Sequence, residues 1–162
     1  MYEMRYHAHH FNQTRTAMPT IERSALVPYS DAQMYALVND VDRYPEFVPG
    51  CRSASVLESD EQNKVARLDI SKAGISKSFT TRNTLVPFER IDMVLVDGPF
   101  QYLRGGWSFH KLDEQACKIV LKLEFEFANR LLGMAFGKIF NELQSRMVDA
   151  FVQRAQQVYG SQ

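Results

Sequence analysis

The sequence has no excess of charge of either sign: nineteen Lys and Arg stand against nineteen Asp and Glu in 162 residues. That balance removes the whole-chain basic footprint of a nucleic-acid binder, so DNA is not an expected partner and any ribosome contact would need a local patch. Cysteine is scarce. Cys51 and Cys117 form neither a disulfide framework nor a metal-ligand pattern, and they are expected as partly buried thiols in a reducing cytosol. No apolar run approaches the ~20 residues of a membrane span and no signal-peptide core appears, so the expectation is a soluble cytoplasmic protein. The catalytic vocabulary is missing as well: there is no G-x-S-x-G, P-loop, dinucleotide glycine motif, H-E-x-x-H or Cys/His cluster. No catalytic residue, metal ligand or catalytic cofactor is therefore assigned.

What is present is organised around the C-terminal stretch from Asn129 to Val158. Leu132, Phe136, Ile139, Phe140, Leu143, Met147, Ala150, Phe151 and Val158 recur at helical spacing on one arc, opposite Lys138, Glu142, Arg146 and Asp149. This predicts one amphipathic helix about 45 Å long, capped by Asn129 and ended at Gly160. So long and aromatic a face needs a large apolar partner.

The preceding chain supplies it. Residues 1–17 are polar and non-periodic. His7, His9 and His10 lack acidic or cysteine partners, so a disordered extension is expected there rather than a metal site. Met18 opens the first structured segment and is a candidate start, a reading that an intact Tyr2 on the native chain would sink. Residues 18–160 are expected as one domain. Pro19–Val27 alternates as a strand, and Ser30-Asp31-Ala32-Gln33 has the spacing of a capping box, predicting a short helix. Tyr44-Pro45-Glu46-Phe47-Val48-Pro49 cannot continue that helix, because two prolines interrupt it. It is either a plug at the core edge or the rim of a pocket. Six alternating runs follow, near 52–59, 64–72, 76–86, 90–97, 102–112 and 117–127, with Gly105 and Gly106 expected as a bulge. Strand, one or two short helices, six strands and a long helix make an α+β layout, a curved antiparallel sheet of about seven strands.

Several features remain ambiguous from the residues alone. Gly133 and Gly137 either let the long helix pack closely on a bulky neighbour such as Trp107 or Phe47, or soften that end to admit a ligand. Arg67, Asp69 and Arg82 are mid-strand, as polar groups in a cavity or as cross-strand partners on the wet face. His110, beside Phe109, is expected to face outward by alternation.

Pro19–Ser30 followed by Val38–Pro49, with Phe79-Thr80-Thr81-Arg82-Asn83, Asp97-Gly98-Pro99-Phe100, Leu103–Phe109 and Phe125-Glu126-Phe127, resembles the coenzyme-Q-binding START-like family of the polyketide cyclase/dehydrase and lipid transport superfamily. Its bacterial branch includes ribosome association toxins. The resemblance covers residues 18 to 158. It implies a helix-grip fold with a tunnel between sheet and C-terminal helix that takes ubiquinone or another polyprenyl lipid in support of respiration. Tyr44, Phe47, Val48, Phe79, Trp107, Phe109, Phe125, Phe136 and Phe140 are the expected ligand-binding residues, and on that placement Phe136→Asp abolishes binding while leaving the sheet folded. The partners expected are an isoprenoid quinone or lipid and, in transient contact, the inner membrane. The alternative is a toxin that binds the large ribosomal subunit and blocks subunit association through Lys72, Lys77, Arg82, Arg130 and Lys138. A cyclase-type enzyme ranks third, for want of an acid/base pair.

Overall fold

A computed structural model of the protein describes residues 2–9 and 18–160. Among these residues there are eight strands and two α-helices: β1 (Tyr2–His9), β2 (Met18–Val27), α1 (Asp31–Asn39), β3 (Cys51–Ser59), β4 (Asn63–Lys72), β5 (Ile75–Val86), β6 (Arg90–Asp97), β7 (Phe100–Asp113), β8 (Ala116–Phe127) and α2 (Arg130–Tyr159). A 3-10 segment, Val41–Glu46, links α1 to β3. The strands form one antiparallel sheet in the order β1-β2-β8-β7-β6-β5-β4-β3.

The seven expected strands are all present, and the expectation for the N-terminal extension is corrected. Residues 2–9 pair with β2 from Tyr2↔Ala25 to His9↔Met18. The edge of β2 would otherwise offer unpaired backbone groups, and the backbone of β1 satisfies them. The remainder of the expected extension lies outside the described residues, as does His10.

Both helix starts form as their side chains dictate. Ser30 Oγ accepts from the Gln33 amide at 3.0 Å while Gln33 Oε1 accepts from the Ser30 amide at 2.9 Å. Asn129 Oδ1 accepts from the Leu132 amide at 2.8 Å.

The glycine pair Gly105-Gly106 is not a bulge. Pairing runs through it without a slip on both sides, and the register shifts next to β7 fall instead between Phe100 and Tyr102 and between Lys111 and Asp113. The glycines serve close backbone approach. With φ of 136° and 152°, a Cβ at Gly105 would sit 2.0 Å from the Lys122 carbonyl oxygen, and one at Gly106 2.1 Å from that of Ile91. The sheet is drawn tight here because no side chain intervenes.

α2 lies across the inner face of the sheet. Phe136, Ile139, Phe140, Leu143, Val148, Phe151 and Ala155 are buried along it. Of the arc expected from periodicity, Leu132, Met147 and Ala150 are only half-buried and Val158 is 50% exposed, whereas Gln144 is 4% exposed. The buried line steps by four through 136, 140, 144 and 148, which carries a polar residue into the interior.

The C-terminal half of α2 is tied down. Tyr29 donates to the Gly160 carbonyl at 2.8 Å, Tyr159 donates to the Gln33 carbonyl at 3.0 Å, and Arg154 pairs with Glu46 at 2.7 Å. The N-terminal half rests on an aromatic cluster of Phe100, Phe125, Phe127, Phe136 and Phe140. A Cβ at Gly133 or Gly137 would meet the Phe127 ring at 3.5 Å, an ordinary van der Waals contact, so packing on Phe127 does not require glycine at either position. The bulky neighbour at both glycines is Phe127, not Trp107 or Phe47.

Candidate functional site

Between sheet and α2 lies a cavity of about 60 Å³. β4 contributes Ala66 and Leu68, β5 contributes Phe79, Thr81 and Asn83, and β6 contributes Met93. β7 and β8 add Leu103, Trp107, Leu121 and Leu123. Val41 and Tyr44 close one side, and Phe140, Leu143, Gln144 and Met147 of α2 form the roof. The volume is room for a few water molecules, well short of the ~300 Å³ or more of a typical small-molecule site. A ring-and-tail ligand therefore enters only with rearrangement of the lining or of α2.

Four of the nine residues expected at the ligand, Tyr44, Phe79, Trp107 and Phe140, line this cavity. The other five are corrected to packing positions. Phe109 lies beside Trp107 with its ring edge-on to Tyr35 of α1 at 5.8 Å. Phe125 and Phe136 belong to the aromatic cluster under the start of α2. Val48 is buried, and Phe47 packs edge-on against Phe151 at 5.0 Å beneath the Arg154 guanidinium. The Pro45–Pro49 segment is thus a plug at the core edge and not a rim. Its prolines stiffen the chain so that Phe47 and Tyr44 both reach Phe151.

Beside Tyr44, the cavity holds polar groups that were not among the expected ligand-binding residues: Thr81, Asn83 and Gln144. Thr81 and Asn83 flank the exposed Arg82 on β5, and Thr81 Oγ1 donates to Asn83 Oδ1 at 2.7 Å. The signal was the period of two from Phe79 through Thr81 and Asn83. Arg67 and Asp69 instead form an ion pair at 3.1 Å on the exposed face, where Asp69 also accepts from Ser53 and Ser78. These hydrogen bonds hold the Asp69 carboxyl below its usual range. The Tyr44 hydroxyl donates to the Val38 carbonyl at 2.5 Å, and burial holds its pKa far above the ordinary phenol value, so it is fixed as a neutral donor. His110 is exposed and bonds to Ser108 at 3.1 Å. No carboxylate, imidazole or cationic side chain lines the cavity, and no group of three or more His, Cys, Asp and Glu suited to a metal occurs among the described residues.

Burial pushes the Cys51 thiol up to about 11 and the Cys117 thiol up to about 12. Both should resist alkylation by iodoacetamide at pH 8 in the native protein and react within minutes in urea, as read by mass spectrometry, because thiolate is the attacking species. Rapid native labelling of either would contradict its burial.

A curved antiparallel sheet folded over one long helix, with a small apolar cavity between them, defines a helix-grip protein. The chain belongs to the polyketide cyclase / dehydrase and lipid transport family, which it matches over residues 27–152. It is 62% identical over 143 residues to the ribosome association toxin RatA of Vibrio cholerae, covering 88% of this chain and 99% of that protein. A more distant relative is the mitochondrial coenzyme Q-binding protein coq10 of Schizosaccharomyces pombe, 27% identical over 152 residues, or 90% of this chain and 92% of that one. Among solved structures, the Zhui aromatase/cyclase from Streptomyces sp. R1128 superposes with a TM-score of 0.73 at 21% identity, covering 86% of this chain and 94% of that one, a likeness of fold. Among the described residues, no helix is long and apolar enough to cross a membrane.

Proposed function

We propose that this protein is a ribosome-associating toxin of the RatA kind, built on a fold whose interior binds a polyprenyl quinone. The observation that carries the ribosome reading is the 62% identity to RatA across 99% of that protein's length, which leaves little room for a change of surface function. Such a contact would be local. Arg82 alternates with the cavity-facing Thr81 and Asn83 and so lies on the outer sheet face, whereas Lys72 pairs with Glu142 of α2. The five cations expected as one cluster are therefore divided between two faces. Co-sedimentation with ribosomal subunits on sucrose gradients is the test. Association is expected at 50 mM salt and should weaken steeply by 200 mM, as phosphate contacts do. Salt-independent sedimentation would point to a contact without phosphates, and none at either salt would end this reading.

The interior supports the second half of the proposal. The cavity wall is apolar apart from Tyr44, Thr81, Asn83, Gln144 and the indole N–H of Trp107, the pattern that suits a tail plus a ring with one or two polar groups. Burying even ~200 Å² of tail is worth about 5 kcal/mol at 25 cal/mol per Å², before ordering costs. With no acid or base in the wall, binding rather than catalysis is the activity we assign. Exchange of so apolar a cargo calls for transient contact with a membrane surface. Organic extraction of protein purified from its native host, followed by mass spectrometry, should yield near-stoichiometric quinone. A clean extract, repeated after incubation with quinone, would remove the lipid half and leave the ribosome half standing.

A further inference from the structure

The cavity contains a buried acceptor that the protein leaves unused. Gln144 lines the cavity and is 4% exposed, and its Oε1 has no hydrogen-bond partner among the described residues. The orientation of the amide is set by its other end, because Nε2 donates to the Asn141 carbonyl at 2.9 Å. Turning the amide over would bring Oε1 against that carbonyl oxygen, two acceptors face to face. The free group is therefore an acceptor, and what it lacks is an O–H or N–H.

None of the neighbouring polar groups, the Trp107 indole N–H included, donates to it. The Tyr44 hydroxyl is committed to Val38, and the Thr81 hydroxyl is committed to Asn83 Oδ1. Asn83 Oδ1 accepts that bond and keeps a second lone pair, and the Asn83 amide nitrogen adds an N–H donor that a ligand can meet. The wall thus offers a donor on β5 and an unmet acceptor on α2. A buried acceptor without a partner costs the full desolvation of that group, and a ligand that supplies a donor recovers it.

We propose that the cavity selects an apolar molecule carrying a ring hydroxyl, and, resting on the quinone reading above, that it prefers the reduced hydroquinone to the quinone. A quinone has only acceptor oxygens. Its carbonyl satisfies Asn83 but leaves Gln144 Oε1 unpaired. A hydroquinone accepts from the Asn83 amide and donates an O–H to Gln144 Oε1. No electron transfer by the protein is involved: the site sorts two forms of one ligand by hydrogen-bond polarity.

Anaerobic calorimetric titration of the full chain with decylubiquinone and with decylubiquinol tests this. Wild type should bind the quinol about tenfold or more tightly than the quinone. In Gln144→Leu the two affinities should converge while both forms still bind, and the variant should melt at or above wild type, since it loses an unpartnered buried acceptor. Gln144→Met is the substitute if the leucine variant does not fold. Equal binding of both forms by wild type, or tighter binding of the quinone, would overturn the proposed preference and leave the quinone reading intact. Binding of neither form would overturn both. A preference for quinol that persists unchanged in both variants would show that another group makes the distinction, and it would overturn the assignment to Gln144.

Discussion

Phe136→Asp is expected to unfold this protein, not to empty its cavity. Phe136 is 0% exposed and is not in the cavity wall. Its ring packs among Phe100, Phe127 and Phe140 at centroid distances of 6.0–6.3 Å, under the half of α2 that has fewest polar ties to the rest of the molecule. Removing such a ring costs about 3–5 kcal/mol, and a carboxylate put in its place has no cation or donor to meet it. Against a total stability of about 5–15 kcal/mol, that is enough to depopulate the native state. The introduced acid would have its pKa raised in the folded state, so the folded form would hold the extra proton. The variant should therefore be less destabilised at pH 4 than at pH 8. Urea melts followed by near-ultraviolet circular dichroism would read both effects, with Phe136→Leu as a milder control. A Phe136→Asp protein with wild-type midpoint would mean that the aromatic cluster does not support α2.

Ala66→Leu should do the reverse, keeping the fold and losing the ligand. Ala66 is buried on β4 opposite Thr81 and borders the cavity. A larger side chain there grows into the roughly 60 Å³ of free space. Overpacking a filled core costs about 1–3 kcal/mol, but here space exists, so the melting temperature should stay within a few degrees of wild type. The extraction that yields quinone from wild type should yield less than a tenth as much from this variant. Ribosome co-sedimentation should be unchanged, because nothing on the surface is altered. Full quinone occupancy in a folded Ala66→Leu protein would place the ligand elsewhere. Loss of ribosome association together with quinone would mean that the two activities share one site.

These two expectations differ because of what could and could not be read without coordinates. Alternation and turn residues located seven strands, and side chains at Ser30, Gln33 and Asn129 announced both helix starts. Each of those signals is local: it depends on residues within a turn or a strand pair, and neighbours in sequence are neighbours in space. The family resemblance rested on the same contiguous stretches, and the match over residues 27–152 agrees with it.

The cavity wall was a different kind of question. Phe136 and Phe140 look alike in sequence, one helical turn apart on the same apolar arc. One fills a cluster with Phe100 and Phe127, and the other reaches the cavity, because only the sheet's curvature decides how far each strand stands from α2. Gly105 and Gly106 announced an irregularity, but that they draw strands together without a slip in register depends on the Lys122 and Ile91 carbonyls, supplied by β8 and β6. Gln144 was passed over for the same reason. Polar side chains are sorted by which face meets another element, and the buried line of α2 drifts four residues at a time until it takes a glutamine inside. From Met18 onward, sequence determined the elements and their order. Packing of the sheet against one helix decided which side chains surround the cavity, and which single acceptor there was left without a partner.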